Sequence, residues 1–298
     1  MTEAIVDLEA HLTDTQDIVW ARSGKHVQDW DKMKVGRRVL SECFRVSEDN
    51  SNLPTILSVT NFDDERAQVF RYLVKGEEFF RMTGNLDYFE DEKMLHIRNP
   101  FRGDLYFLAG QEIASDIGHI TLAGLPFDYY LDTSDKRNRE PEKIFSEAEK
   151  YGAIVLVEAG RVGMLEKIFG KMFNKLVDKQ YAEMSAKKVN LIKYGNDIDA
   201  VKSDYDFWDD NDHFLSIAVS DSHVPDGKSG PFSSYAIFNN VDLSSGEKLV
   251  ASLKDGINRS HYHNVRNEKS VLENLRHHSI CFFAGAVGLP TGLMKRDH

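Results

Sequence analysis

The chain has 298 residues, 41% of them hydrophobic and 29% charged, with a formal net charge of −11. That length suffices for one large barrel or two medium domains, and the acidic balance argues against broad, charge-driven nucleic-acid binding, leaving only a local basic patch for that role. The two cysteines, Cys43 and Cys281, exclude a disulfide framework and a cysteine-rich zinc site, and suit buried thiols in a reducing compartment. The first residues lack a basic segment followed by an apolar one. No apolar run approaches about 18 residues. The expectation is therefore a cytoplasmic protein without a membrane segment.

Taken in order, Ala4 to Leu8 reads as a first short strand, running into Glu9-Ala10-His11. Asp14 to about Lys34 is polar and weakly periodic, and reads as an extended loop. Val35, Val39, Leu40, Cys43, Phe44 and Val46 fit one helical face. Thr55 to Val59 is a second buried strand, ending at Thr60-Asn61-Phe62-Asp63. Glu65 to Phe80 has helical character, with Gly84-Asn85 as a stop. Leu86 to Asp104 is mixed in charge and reads as irregular. Leu105 to Ala109 is a third strand, closing on Gly110-Gln111-Glu112, and His119 to Leu125 a fourth.

Glu140 to Tyr151 predicts a helix with Pro141 in its first turn and Gly152 as its stop. Ala153 to Val157 is a fifth strand, ending at Glu158. Val162 to Lys187 is a long apolar helical region, part of which could form a homo-oligomer surface. Val189 to Tyr194 and Phe214 to Val219 are the sixth and seventh strands. Ser233 to Phe238 is a possible short extended piece. Ser244 to Asp255 predicts a helix capped by Ser244 or Ser245 and ended by Gly256. Asn258 to Lys269 is polar, and Val271 to His278 a last short helix. Apolar runs alternating with helical segments predict an α/β chain whose mostly parallel sheet closes as a barrel. No internal repeat or low-complexity linker divides it, so residues 1–298 read as one domain.

Groups able to bind a metal recur near the ends of these strands: Glu9 and His11, Glu112, His119, Glu158, Asp221 and His223. Alternate residues of an extended chain share a face, so Glu9 with His11, and Asp221 with His223, can each point into one pocket. In a parallel barrel the strand C-termini meet on one side, where most of these groups would converge. His119 precedes its strand, and reaches the site only if that strand runs antiparallel or the turn after Glu112 folds inward. A mixture of carboxylates and imidazoles suits zinc, manganese or iron. The other histidines, including His96, His261 and His263, read as surface residues.

The order of these segments resembles the PHP family (polymerase and histidinol phosphatase). Val6-Asp7-Leu8-Glu9-Ala10-His11 resembles its opening Asp-Leu-His-x-His motif, and Val59-Thr60-Asn61-Phe62-Asp63 its Thr-Asp-His-Asp motif. Gly110-Gln111-Glu112-Ile113 resembles Gly-x-Glu, Gly118-His119-Ile120 the Gly-His strand, and Ser220-Asp221-Ser222-His223 the closing Ser-Asp-Ala-His. Val155 to Ala159 stands where the family has a His-Pro ending, and Leu253-Lys254-Asp255-Gly256 resembles the closing helix. The resemblance covers residues 4–256, leaving 257–298 as a C-terminal extension packed on the barrel. It implies a distorted seven-stranded β/α barrel and metal-dependent phosphoesterase activity.

By that resemblance Glu9, His11, Glu112 and Asp221 hold one metal, and Glu112, His119 and Glu158 a second. Three departures stand out: Glu9 and Glu158 replace histidines, and Phe62 replaces a histidine with a side chain that cannot bind metal. A third site, at Phe62 and His223, is thereby lost, which frees His223 to act as a general acid. More carboxylate favours harder ions, giving one or two divalent ions, manganese or zinc ahead of magnesium or iron. The implied substrate is a phosphorylated small molecule or nucleotide. Arg98, Arg102, Arg161 and Lys228 lie near enough to strand ends to meet an anion, though each reads first as a solvated charge. The competing reading is a catalytically degenerate module that serves as a structural or partner-binding unit.

Overall fold

The computed structural model describes residues 2–11, 32–60, 87–99, 102–115, 117–158, 183–184, 191–194, 215–222 and 230–266. Strands dominate, with eleven against three α-helices among the described residues. The strands are β1 (Thr2–Ala10), β2 (Thr55–Val59), β3 (Asp87–Glu90), β4 (Met94–Arg98), β5 (Leu105–Ser115) and β6 (Gly118–Leu125). They continue with β7 (Ile154–Glu158), β8 (Leu191–Tyr194), β9 (Leu215–Ala218), β10 (Ser234–Val241) and β11 (Tyr262–Arg266). The helices are α1 (Lys32–Asp49), α2 (Pro141–Tyr151) and α3 (Gly246–Asn258).

The sheet order is β11-β10-β1-β2-β5-β6-β7-β8-β9, with β4 also pairing on β5 and β3 on β4. Pairs β1–β2, β2–β5, β7–β8 and β8–β9 are parallel. Pairs β5–β6, β6–β7, β1–β10 and β10–β11 are antiparallel. This overturns the expected seven-stranded β/α barrel. The molecule is mostly β, a curled mixed sheet forming a half-barrel. The expectation failed because apolar runs mark strands without giving their direction: β6 runs antiparallel to both β5 and β7, and β10 to β1.

The curl separates two cores. Its concave side gathers Ala4, Val6 and Leu8 of β1, Ile56, Leu108, Ala123, Leu156, Ile217, Val219, Ala236 and Phe238, sealed by Leu249, Val250 and Leu253 of α3. Residues from so many strands meet only on the inside of a curved sheet. The convex side carries Ile5, Leu57, Val59, Phe107 and Ala109 against Val39, Leu40 and Cys43 of α1. A third cluster packs Ile113, Ile120 and Leu122 against Ile144 and Phe145 of α2. At about 25 cal/mol per Å² of apolar surface, these clusters supply most of the drive to fold.

Several local expectations hold. β2 spans Thr55–Val59 as read, and α2 begins with Pro141 in its first turn and ends at Gly152, whose φ of 66° is the left-handed conformation glycine adopts freely. Ser245 caps α3, accepting a hydrogen bond from the Lys248 N–H. Others need correction. The segment read as irregular, Leu86 to Asp104, holds the β3–β4 ribbon. Gly256 does not end α3, which runs on to Asn258. It is instead buried where a Cβ would come within 3.0 Å of Phe238. Asn258 to Lys269, read only as polar, holds β11, which the C-terminal extension adds to the sheet. The helices expected over 65–80 and 271–278 lie outside the described residues, as does nearly all of 162–187. No described helix is long and apolar enough to cross a membrane.

Candidate metal centre

The site begins with a bulge. Between β1 and β2, Asp7 pairs with Leu57 and Ala10 with Val59, so β1 carries one residue more than its neighbour. Ile5 and Ala10 consequently share the convex core although their odd spacing would separate them in a regular strand. Leu8 and Glu9 therefore both turn to the concave side, and His11 follows at the next alternate position. Asp7 stays convex, where it meets the N–H of Phe232 at 2.9 Å.

The far end of the sheet comes back to β1 here. Ala10 and Ser222 form an isolated parallel bridge. The His11 N–H donates to the Ser222 carbonyl at 2.7 Å, and the Asp221 N–H to the Glu9 carbonyl at 3.1 Å. Asp221 sits at φ 44°, a left-handed conformation uncommon outside glycine but tolerated by aspartate. Val219 and Ile217 face the concave core, so alternation directs Asp221 to the same side.

Glu112 arrives on β5, on the face of Leu108. Its cross-strand partner on β6 is Thr121, whose hydroxyl donates to Glu9 Oε1 at 2.8 Å. His11 Nε2 lies 2.9 Å from Glu112 Oε2, 3.3 Å from Asp221 Oδ1 and 3.8 Å from Glu9 Oε1. The four ligand atoms of Glu9, His11, Glu112 and Asp221 all lie within 4.8 Å of one another. Glu112 uses its second oxygen on His119, with Nδ1 at 3.0 Å from Oε1. Glu9, His11 and Glu112 are buried, whereas the side chains of Asp221 and His119 are 23% and 37% exposed. The open side of the cluster is thus the side of Asp221 and His119.

Such a cluster could hold a metal ion. Three carboxylates around one imidazole repel one another unless a cation or protons neutralise them. The donors are oxygen and nitrogen, the set that suits a divalent first-row ion. Their separations match the span that one ion, contacting each at about 2.0–2.2 Å, would bridge.

The structure brings together five of the predicted residues: Glu9, His11, Glu112, Asp221 and His119. His119 joins because β6 runs antiparallel, which places its first turn of strand, rather than its last, at the site. Glu158 is the final residue of β7, but its side chain lies outside the described residues. His223 and Phe62 lie outside them too, as do Arg161, Lys228 and Cys281. Of the other candidates, Arg98 ends β4 and is exposed. Arg102 is bound to α1, 2.7 Å from Glu48 and stacked over Phe44. His96 is no plain surface residue. It pairs with Asp104 at 2.9 Å and stacks on Tyr106. His261 and His263 are exposed as expected.

Sequence reading missed two residues that build the site. Thr121, which anchors Glu9, gave no signal beyond its two-residue spacing from His119. Asp7 gave the same spacing from Glu9, and its role is architectural. Its carboxylate accepts hydrogen bonds from the N–H groups of Glu9, Ser220 and Phe232. Burial pushes its pKa up to about 7, against the lowering effect of those bonds.

No family model matches the chain, and no curated protein matches it. The crystal structure of PsfC from Pseudomonas syringae PB-5123 has a similar fold, with a TM-score of 0.50 over 96% of this chain and 100% of that one. The two are 11% identical, so the likeness is one of fold alone.

Proposed function

We propose that this protein is a metal-dependent phosphoesterase whose centre is the Glu9, His11, Glu112 and Asp221 cluster. The observation that supports the reading best is the convergence of three carboxylates on His11 Nε2, with all four ligand atoms within 4.8 Å. A protein seldom buries like charges so close without a counter-charge. The sequence resemblance to PHP phosphoesterases at these same residues adds support to the chemistry, although the barrel it implied is not the fold.

Glu9, His11, Glu112 and Asp221 hold the ion. Manganese comes first and zinc second, because carboxylates outnumber imidazoles in the cluster. When bound, the ion would acidify a water and stabilise charge on a phosphoryl oxygen. The chain does the rest. Thr121 fixes the Glu9 carboxylate through its 2.8 Å hydrogen bond. Glu112 joins the buried cluster to His119 on the open side, where a second ion with Glu158 as a further ligand would complete the two-ion arrangement. His223, next to the bridged Ser222, takes the role of general acid toward the leaving group. The partly exposed side of the cluster at Asp221 and His119 admits an anionic ester from solvent.

The test is elemental analysis of the purified protein beside hydrolysis of an aryl phosphate monoester and diester with added Mn²⁺, for wild type, Glu112→Ala and Asp221→Ala. The expected result is bound metal and activity in wild type, with both lost in the variants. Bound metal without hydrolysis of either ester would overturn the phosphoesterase reading. Absence of metal after growth with added manganese and zinc would overturn the centre itself, leaving the partner-binding module as the better account.

A further inference from the structure

Four buried hydroxyls have no hydrogen-bond partner among the described residues: Thr55, Ser58, Thr60 and Ser222. A buried hydroxyl left unpaired destabilises the fold, so each calls for a reason. Thr55 opens β2, at the end of the strand away from the cluster. Ser222 is bridged to Ala10 and shares its convex face. Ser58 and Thr60 are different. A Cβ added at Gly110 would come within 2.7 Å of Ser58 Oγ and 2.6 Å of Thr60 Cγ2. Gly110 lies two residues before Glu112 on one continuous strand, so both side chains lie on the face that carries Glu112.

Thr60 is the nearer of the two to the cluster. Its N–H donates to the Ala10 carbonyl at 3.1 Å, and its own carbonyl accepts from the Glu112 N–H at 3.2 Å. Its main chain therefore ties the strand of Glu9 and His11 to the strand of Glu112. Its methyl lodges over Gly110, where no larger residue would leave it room. That contact fixes χ1 and holds the hydroxyl on a different arm of the side chain. The hydroxyl is fully buried, on the cluster's face, between two ligand strands.

We propose that Thr60 is a positioning residue of the cation site, whose hydroxyl hydrogen-bonds a water held there by an ion in the Glu9, His11, Glu112 and Asp221 cluster. The proposal rests on the metal reading above. It accounts for the unpaired hydroxyl of Thr60, one of three on and just beyond β2: the metal-free protein bears the cost, and the loaded site recovers it. Such stability losses are common where a residue is retained for function.

Thr60→Val keeps the shape and removes the hydroxyl, and Thr60→Ser keeps the hydroxyl. Both would be compared with wild type using Co²⁺ as the probe, by metal-free melting and by the pH midpoint of the cobalt absorption spectrum. Metal-free Thr60→Val is expected to melt a few degrees higher than wild type. It should bind Co²⁺ at the same stoichiometry, with the spectral midpoint moved up by about one unit, while Thr60→Ser stays at the wild-type midpoint. An unchanged midpoint in Thr60→Val would overturn the role of Thr60 while leaving the metal centre intact. A lower metal-free melting temperature, or failure of that variant to fold, would overturn it too, since the hydroxyl would then be a structural bond. Wild type that takes up no Co²⁺ would remove the metal centre and this role together.

Discussion

Two buried carboxylates two residues apart on β1 have opposite surroundings. Asp7, on the convex side, faces three main-chain N–H donors from Glu9, Ser220 and Phe232. Glu9, on the concave side, shares a pocket with two further carboxylates and one imidazole, and accepts one hydroxyl hydrogen bond from Thr121. The chain supplies Asp7 with its partners and makes it a clamp joining β1 to the segments beside Asp221 and Phe232. Around Glu9 it gathers acceptors instead. The difference separates a carboxylate that completes the fold from carboxylates that could hold a metal ion.

The largest expected effect comes from removing the centre of the concave group. His11→Ala should lower Mn²⁺ affinity at least 100-fold by titration calorimetry, because the imidazole is within 3.8 Å of all three carboxylates. On the convex side, Asp7→Asn replaces an acceptor oxygen by an NH₂ group that would meet a main-chain N–H. Loss of about 1–3 kcal/mol in denaturant unfolding is expected, with metal stoichiometry retained. A variant that instead lost metal and kept its stability would erase the distinction between the two carboxylates.

The pH dependence of stability sharpens the contrast further. An Asp7 pKa pushed from 3.8 to about 7 means that the folded state binds a proton more tightly than the unfolded chain. Stability of the metal-free protein should therefore be fully supported below about pH 4 as far as Asp7 is concerned, and decline as pH rises toward 7. Urea unfolding of metal-free protein across this range should show the decline, and Asp7→Asn should flatten it. The smallest effect concerns the other place where the sheet's edges meet. The Asn264 amide accepts from the Ala218 N–H at 2.8 Å and donates to the Ser216 carbonyl at 3.0 Å, standing in for a missing strand. Asn264→Ala should cost about 1 kcal/mol and leave Mn²⁺ binding within error of wild type.

The candidate ligand residues were legible because they end continuous apolar runs, as in β1 and β5, which are buried on both faces. The two-residue spacing of Glu9 and His11 survived as a shared face. What the chain hid was direction. Nothing in His119 to Leu125 distinguishes an antiparallel strand from a parallel one, and that one reversal helped replace a closed β/α barrel by a mixed half-barrel. The β3–β4 ribbon was hidden by its charge, since Asp87, Glu90, Asp91, Glu92 and Lys93 break any alternation. Gly256 misled because a helix-stop residue and a close-packing residue are the same letter; its reason is Phe238, more than a dozen positions away. Asp7 could not be told from a ligand, because a clamp and a metal site ask for the same side chain and differ only in what faces it.

The bulge in β1 has one further result. It turns Leu8 and Glu9 to the same side in succession, so oil gives way to charge across a single peptide. The floor beneath the cluster is Leu8 and its apolar neighbours, a medium that polarises little. Beneath the carboxylates the Thr121 hydroxyl, 2.8 Å from Glu9, is one of few groups able to soften their field. Field lines in such a setting favour the more exposed side, that of Asp221 and His119. The extra residue thus gives the cluster a direction: among the described residues, its more exposed side is that of Asp221 and His119.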